Sequence, residues 1–355
     1  MLGVSIATVV GALAVTELWA RAYYKRRYLM PFRPRVIGEY PYSQFVERQD
    51  PPLHYRFKKN FSSPLVNINR FRCRGPQPAP DGEKRRLLLI GESQHFGVKL
   101  RREKNVWSIR LEQMLRKAGY HEWEVLNAGN PMYSSYQHQI LWEQELHRVG
   151  PQILIVGIGG NDISQALMFG PRWSRETVWP WEFIMALERK SPWWNKLLGY
   201  SAIYYLLRRS ATARRPFPVA EELPPLEAVL ETISESYRAI VSSAKAMGIK
   251  VALSLYAPAY DFNSTPDDRR RLAAIQSNWE SFIYERGEWE KRFLDYVYRT
   301  LAPELGAEAI DIRETFGAHP RRHELYLDVV HFNAEGMEVL ARIFFERLKD
   351  LGWLE

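Results

Sequence analysis

The sequence predicts an α/β protein with a parallel β-sheet that is covered by helices on both faces. Short apolar segments alternate along the chain with longer segments whose apolar residues recur at helical spacing. Strands that are apolar along their whole length are typical of parallel sheets buried on both sides. The 355 residues, 46% of them hydrophobic, are enough for one large domain with additions, and no internal repeat interrupts the pattern.

The predicted elements follow one another in the order that βα units require. The predicted strands are residues 86–91, 123–129, 152–162, 250–258 and 307–312. The clearest predicted helices are residues 105–119, 134–150 and 334–352. The first of these helices ends at Gly119, and the second begins with a serine cap and ends at Gly150.

Residues 1–20 are predicted to form a transmembrane anchor. The segment Leu2–Ala20 is apolar except for Glu17, and as a helix it would be about 28 Å long, close to the hydrocarbon thickness of a bilayer. The sequence RAYYKRRY follows, and this mixture of tyrosines and basic residues is typical of an interfacial anchor. A cleaved signal peptide is an alternative that Glu17 and Trp19 disfavour, and a buried helix is another.

The positive charge is concentrated in one short stretch. The net charge is +8, and residues 21–60 hold ten Lys/Arg against three Asp/Glu. The main domain, 85–355, is therefore nearly neutral, which disfavours nucleic acid as a partner, and residues 21–84 are a basic, Pro-rich lead-in. Basic residues after the anchor would place the domain in the cytoplasm, but we leave the membrane side open. The single cysteine, Cys73, excludes an intramolecular disulfide and a Cys-based zinc site.

Polar residues stand where the predicted strands end. The stretch Gly91-Glu92-Ser93 follows the first strand, Gly129 closes the second, and Asn161 and Asp162 close the third. The loop DVVHFNAEG, residues 328–336, comes just before the last helix. Because ligands of parallel sheets bind beyond the carboxyl ends of the strands, we expect these residues to lie close together.

These residue types fit acyl transfer. Ser93 would be the nucleophile, His331 the base that takes its proton, and Asp328 the carboxylate that orients His331. The N–H groups of Ser93 and Gly129 and the side-chain amide of Asn161 would form the oxyanion hole. Each residue alone has a structural explanation, because serine caps helices, Asn-Asp pairs form turns and histidines pack in cores. Only the presence of all these residues, in this order along the chain, favours a catalytic role.

The order of these segments resembles the SGNH (GDSL-type) hydrolase superfamily, over about residues 85–350. The Gly-Asp-Ser-x-x-x-Gly block corresponds to residues 91–97, the second-block glycine to Gly129, the Gly-x-Asn-Asp block to 159–162 and the Asp-x-x-His block to 328–331. The resemblance implies a flavodoxin-like three-layer αβα sandwich with esterase, lipase, carbohydrate-deacetylase or acyltransferase activity. The resemblance also implies a reaction that needs no metal or organic cofactor. Members of the superfamily are commonly extracytoplasmic, which favours that location here.

Two residues depart from the superfamily pattern. Glu92 replaces the usual Asp, which keeps the charge and adds a methylene. His95 stands where Thr is common, and its closeness to Ser93 suggests a second base, although local packing is the expectation we adopt. We expect Asp162 to be structural.

Two insertions lie outside the sheet pattern. The first, at about 163–225, holds five tryptophans, Trp173, Trp179, Trp181, Trp193 and Trp194. It could be a lid beside the site, a surface that rests on a membrane, or a helical subdomain with its own core. The second, 261–293, is charged and is interpreted as solvated helix without a role in the chemistry.

The sequence as a whole predicts a membrane-anchored serine esterase. It would hydrolyse an O-acyl ester, an acetyl or short acyl group on a carbohydrate or a lipid ester, through an acyl-enzyme. One alternative is an O-acyltransferase that uses the same residues on a sugar acceptor. Another is a non-catalytic membrane scaffold with a degenerate site. The sequence does not indicate the oligomeric state.

Overall fold

The computed structural model describes residues 2–33, 41–182, 198–211, 219–260, 265–275 and 286–355. Two short antiparallel pairs precede the main sheet. Strand β1 (Val46–Arg48) pairs with β2 (Tyr55–Phe57), and β3 (Phe61–Ser62) pairs with β4 (Asn67–Ile68). The main sheet then consists of β5 (Arg85–Gly91), β6 (Trp123–Gly129), β7 (Ile153–Ile158), β8 (Lys250–Leu255) and β9 (Glu308–Asp311).

The five strands of the main sheet are all parallel and lie in the order β6-β5-β7-β8-β9. Counted from β5, this is the order 2-1-3-4-5 of flavodoxin-like sheets. The predicted fold class is confirmed. The chain order changes direction between β5 and β7, so the loops that follow these two strands border the crevice in which such folds bind ligands.

Helices cover both faces of the sheet. They are α1 (Leu2–Tyr28), α2 (Tyr42–Phe45), α3 (Ser93–Phe96), α4 (Trp107–Lys117), α5 (Ser135–Gln144), α6 (Asn161–Phe169), α7 (Ala202–Ala211), α8 (Leu226–Ala246), α9 (Pro266–Ile275), α10 (Arg286–Tyr296), α11 (Ala302–Leu305), α12 (Ile312–Ala318) and α13 (Ala334–Asp350). The side chains of a strand alternate between the two faces. Leu88 and Ile90 of β5 therefore pack in one core cluster, and Leu87 and Leu89 pack in the other.

The lead-in is part of the main core. Phe57 stacks on Phe96 of α3 with ring centroids 5.0 Å apart, and Phe45 stacks on the same ring. The fully buried Arg74 guanidinium donates to the carbonyls of Phe96 and Gly97 at 2.9 and 2.8 Å. Residues before the main sheet therefore fix the short helix that carries Ser93.

The structure corrects two expectations about element boundaries and burial. Strand β7 ends at Ile158, four residues earlier than predicted, and Asn161 is the first residue of α6. The described helices of the second insertion are not solvated on all sides, because Leu272 of α9 and Glu290 of α10 are buried. One face of each helix packs on the core.

The tryptophans of the first insertion that the structure describes pack inward. Trp179 is buried beside Phe169, and Trp173 and Trp181 are partly buried against the same core cluster. Trp193 and Trp194 lie outside the described residues. The first part of the insertion therefore extends the domain core.

Candidate active site

Ser93 stands at the end of the central strand β5. The strand ends at Gly91, Glu92 adopts an extended conformation, and Ser93 begins α3, which stops at Gly97 with a φ of 80°. The left-handed conformation at Gly97 is one that glycine adopts without strain. Ser93 is not the cap of this helix, because the capping position belongs to Glu92. Its hydroxyl is therefore available to other partners.

The fold brings together the three residues that the sequence places in the reaction. The Ser93 Oγ lies 3.0 Å from His331 Nε2. The other ring nitrogen, Nδ1, lies 2.9 and 2.8 Å from the two carboxylate oxygens of Asp328. With Nδ1 as the donor to this carboxylate, Nε2 carries a free lone pair and can accept a proton from Ser93.

The Asp328 carboxylate is held by its own loop. Its Oδ1 accepts the backbone N–H groups of Val330 and His331 at 3.0 and 2.9 Å, and its Oδ2 accepts the Lys99 ammonium at 2.5 Å. Burial alone would raise the pKa of Asp328, but the charges of His331 and Lys99 outweigh this effect and hold the pKa well below its usual value. The carboxylate is therefore ionised at neutral pH.

Lys99 is a residue of the site that the sequence analysis missed. It comes six residues after Ser93 and has a φ of 68°, which is uncommon for a residue other than glycine. Its side chain is 53% exposed, whereas that of Asp328 is 14% exposed. No sequence signal marks it, because a lysine after a glycine-containing turn is an ordinary surface residue.

The Asn161 amide is oriented by the neighbouring loop. Its Nδ2 donates to the Tyr133 carbonyl at 3.0 Å, and its backbone N–H donates to Glu92 Oε1 at 3.1 Å. A primary amide has two N–H donors, so one remains for another acceptor. Glu92, which directly precedes Ser93, thus connects the end of β5 to Asn161.

The two glycines before Asn161 make room for buried acidic side chains. A Cβ on Gly159 would lie 1.9 Å from the Glu92 carboxyl carbon, and a Cβ on Gly160 would lie 2.1 Å from Glu290 Oε1. The longer side chain at position 92 therefore reaches across Gly159 to the Asn161 loop. Burial, followed by the nearby charge of Asp162, raises the pKa of Glu92 well above its usual value.

The residue Glu290 belongs to the insertion that the sequence analysis left without a role. Its Oε1 accepts a hydrogen bond from Arg286 Nε at 2.5 Å, and its Oε2 accepts one from the Tyr260 hydroxyl. This buried pair lies against Gly160, directly before Asn161. A pattern of charged residues does not reveal such a contact, because the pair becomes buried only when α10 packs on the loop.

Gly129 departs from the prediction. Its N–H donates to Asn127 Oδ1 at 3.0 Å and is therefore already engaged at the end of β6. Its lack of a side chain has a packing reason, because a Cβ would lie 2.4 Å from the Phe96 backbone nitrogen. Three residues later, Met132 has a φ of 69° in the turn that leads to the Tyr133 carbonyl. Such backbone strain is found preferentially at functional sites.

His95 and Asp162 occupy buried structural positions. The imidazole of His95 lies against Gly91 of β5 and Gly157 of β7, where a Cβ on Gly157 would be 2.4 Å from its Cε1. Burial lowers the pKa of His95 to about 4 and keeps the ring neutral. The Asp162 carboxylate accepts the N–H and the hydroxyl of Ser135, both at 2.9 Å. His95 is therefore not placed as a second base.

A cavity of about 430 Å³ lies at the ends of β8 and β9. It is lined by residues that include Ala257, Tyr260 and Tyr326, but the three residues of the hydrogen-bonded chain do not line it. Gln94, next to Ser93, donates to the carbonyls of Ala257, which lines the cavity, and of Val330 at 2.9 and 2.7 Å. Among the described residues, no group of three or more His, Cys, Asp or Glu side chains is placed to hold a metal ion.

The geometry agrees with a match to a family model. Residues 89–339, more than half of the chain, match the GDSL-like lipase/acylhydrolase family. The chain belongs to this family. It is therefore a hydrolase that acts on ester bonds, and the resemblance found in the sequence is confirmed.

Solved structures of similar proteins include a lipase/acylhydrolase from Enterococcus faecalis, with 16% identity, coverage of 75% of this chain and 96% of that chain, and a TM-score of 0.45. A catalytic mutant of an acetylxylan esterase from Geobacillus stearothermophilus has 14% identity, coverage of 75% and 95%, and a TM-score of 0.42. A comparison with curated proteins finds no significant match. The assignment to the family rests on the family model.

Proposed function

We propose that this GDSL-family member is a serine esterase that works through an acyl-enzyme, with Ser93 as nucleophile, His331 as base and Asp328 as the orienting carboxylate. The observation that carries the proposal is the continuous hydrogen-bonded chain from Ser93 Oγ through the His331 ring to Asp328. The same three groups in this relation perform acyl transfer on unrelated folds.

The steps follow from the positions of the donors. His331 Nε2 takes the hydroxyl proton as Ser93 Oγ attacks the ester carbonyl, and the resulting imidazolium faces the ionised Asp328. The imidazolium then gives this proton to the departing alcohol, which leaves the acyl group on Ser93. A water molecule, deprotonated by the same ring, attacks the acyl-enzyme, and the imidazolium returns the proton to Ser93 Oγ as the acyl–oxygen bond breaks and the acid product leaves.

The charge on the tetrahedral intermediate needs donors that are already oriented. We propose the backbone N–H of Ser93 and the second N–H of the Asn161 amide for this role, because the Tyr133 carbonyl fixes the first amide N–H. The Gly129 N–H is not included, since it already donates to Asn127.

We also propose that α1 anchors the enzyme in a membrane. Among the described residues, the helix segment Ile6–Tyr28 is long and apolar enough to span a bilayer, and only 6% of its most apolar part is buried. The later part of α1 is built into the domain, with Ala20 and Tyr24 only 4% and 3% exposed. Removing this segment as a signal peptide would expose part of the core, which supports a retained anchor.

The substrate we propose is an acetyl or short-acyl ester of a carbohydrate, or a lipid ester. Hydrolysis rates on aryl esters of increasing acyl length, acetylated polysaccharides and dispersed lipids will separate these classes. Adding oligosaccharide acceptors distinguishes a hydrolase from an acyltransferase, because only a transferase forms an acylated sugar at the expense of free acid.

The proposal is tested by Ser93→Ala. We expect this variant to lose aryl acetate hydrolysis and labelling by a fluorophosphonate probe, while circular dichroism and thermal unfolding stay unchanged. The exposed Ser174 supplies the matched control, and Ser174→Ala should retain both. Full activity of Ser93→Ala would contradict the mechanism, and a wild-type protein that neither hydrolyses esters nor takes up the probe would indicate a scaffold with an inactive site.

A further inference from the structure

The helix α1 changes its environment part-way along its length. Seven large apolar residues between positions 6 and 19 are between 58% and 68% exposed: Ile6, Val9, Val10, Leu13, Val15, Leu18 and Trp19. One turn further on, Tyr24 is buried and its hydroxyl donates to the Ala274 carbonyl at 3.2 Å. The last part of α1 therefore packs against the domain, and the first part is exposed.

The contact between α1 and the domain begins at Glu17, the one charged residue of the apolar segment Leu2–Ala20. Its carboxylate accepts the Ser201 hydroxyl at 2.8 Å and the Ala202 N–H at 2.9 Å, and it pairs with Arg21 at 2.7 Å. Glu17 thus caps the first turn of α7 and complements the positive end of that helix. A carboxylate on an apolar helix is costly in hydrocarbon, but here the domain brings the donors that satisfy it.

The change of environment along α1 sets the height of the domain. The highly exposed apolar side chains end at Trp19, Glu17 and Arg21 are charged, and Ala20 is buried, so the hydrocarbon layer would end near residues 17–21. At this level the Arg21 guanidinium donates to the Tyr200 carbonyl at 2.8 Å. The surface around Tyr200 must then stand at the boundary of the bilayer.

The exposed side chains at this level are of the interfacial type. We call Trp19, Tyr23, Leu198 and Tyr200 the interfacial patch; they are 68%, 44%, 40% and 56% exposed. Trp19 and Tyr23 stack with ring centroids 5.6 Å apart. Aromatic rings with a polar edge are enriched at the headgroup level. The basic last turn of α1, Lys25 to Arg27, follows on the side where anionic headgroups would attract it.

We propose that the interfacial patch is a bilayer-binding surface, so that the domain rests in the headgroup region at a fixed height instead of hanging from a flexible tether. This inference rests on the proposed membrane span of α1. The occupant is the lipid surface because the patch continues the exposed apolar band of α1 and the last turn of α1 that follows it is basic. A second copy of the chain is the competing occupant.

The single native cysteine allows a direct test on the full chain. Cys73 is buried, and burial raises its pKa to about 12, so it does not react with a thiol label under mild conditions. Single cysteines are introduced as Tyr200→Cys in the patch, Val10→Cys in the exposed half of α1 and Met247→Cys on another exposed surface, where Met247 is 50% exposed. Each is spin-labelled in vesicles of phosphatidylcholine and phosphatidylglycerol, and its accessibility to oxygen and to a nickel chelate is measured.

The expected order of the oxygen-to-nickel accessibility ratio is position 10 highest, position 200 intermediate and position 247 lowest. A ratio at position 200 equal to that at 247, with position 10 still in lipid, would overturn the interfacial surface and leave the anchor intact. An aqueous position 10 would overturn the anchor itself. Protection of position 200 from both reagents would indicate a second copy of the chain and would also overturn the lipid assignment.

Discussion

Replacing Lys99 tests whether its positive charge holds Asp328, the proposed orienting carboxylate, in the ionised form. In the variant Lys99→Met, the Asp328 carboxylate keeps its loop hydrogen bonds and its contact with His331 but loses the ammonium. The Lys99 ammonium favours the ionised form of the Asp328 carboxylate and so lowers its pKa. Removing this charge raises the pKa of Asp328, so the acid limb of the pH profile of kcat/KM, where this carboxylate becomes protonated, should move upward.

The size of the shift follows from the distances. Lys99 Nζ lies 2.5 Å from Asp328 Oδ2. Because the lysine is 53% exposed, solvent screens the pair, and the attraction contributes about 1 kcal/mol, or about 0.7 pH unit. The shift should shrink in 1 M salt, where charges at the surface are screened.

The assay is hydrolysis of an aryl acetate between pH 4 and 9, followed for the wild type, Lys99→Met and Lys99→Arg. The arginine variant keeps the charge and the demand for a left-handed backbone, so its acid limb should stay near that of the wild type. An unchanged acid limb in Lys99→Met, or a downward shift, would refute the electrostatic reasoning. Equal losses of rate at every pH in both variants would instead indicate that Lys99 only shapes its loop.

Three further predictions concern the oxyanion donor, the glycine contact and a buried histidine. Asn161→Ala should lower kcat by about 10² to 10³ with little change in KM, measured by steady-state kinetics, since it removes a donor to the developing charge. Gly160→Ala places a methyl group 2.1 Å from Glu290 Oε1 and should cost about 1–3 kcal/mol in urea unfolding, whereas Gly317→Ala, a helical position with open space, should not destabilise. The His95 pKa lies near 4 in the fold against 6.5 in the unfolded chain, so the unfolded state takes up the proton first and acid destabilises the fold. The stability lost by His95→Asn should therefore shrink by about 2 kcal/mol between pH 7.5 and pH 5 in urea titrations.

The pattern of the sequence was sufficient to predict the sheet and the three residues that meet at its edge. Short apolar runs such as Leu87–Ile90, bounded by charged residues and Gly91, are typical of strands buried on both sides, and the exits of parallel strands share one edge. Ser93 and His331 were therefore predictable as neighbours although 238 positions separate them.

Only the tertiary structure decided which neighbours complete the site. The Lys99 ammonium on Asp328 and the Glu290 carboxylate behind Gly160 are contacts between segments far apart in the sequence, and the Asn127 oxygen on the Gly129 N–H is a local bond that depends on the side-chain conformation. Residue type and spacing do not predict these contacts. From the sequence alone a charged residue is expected to be exposed, and only the packing of another segment over it shows that it is buried. The same holds for Glu17. In the sequence it interrupts an apolar helix, whereas in the fold its carboxylate caps α7 and connects the domain to α1.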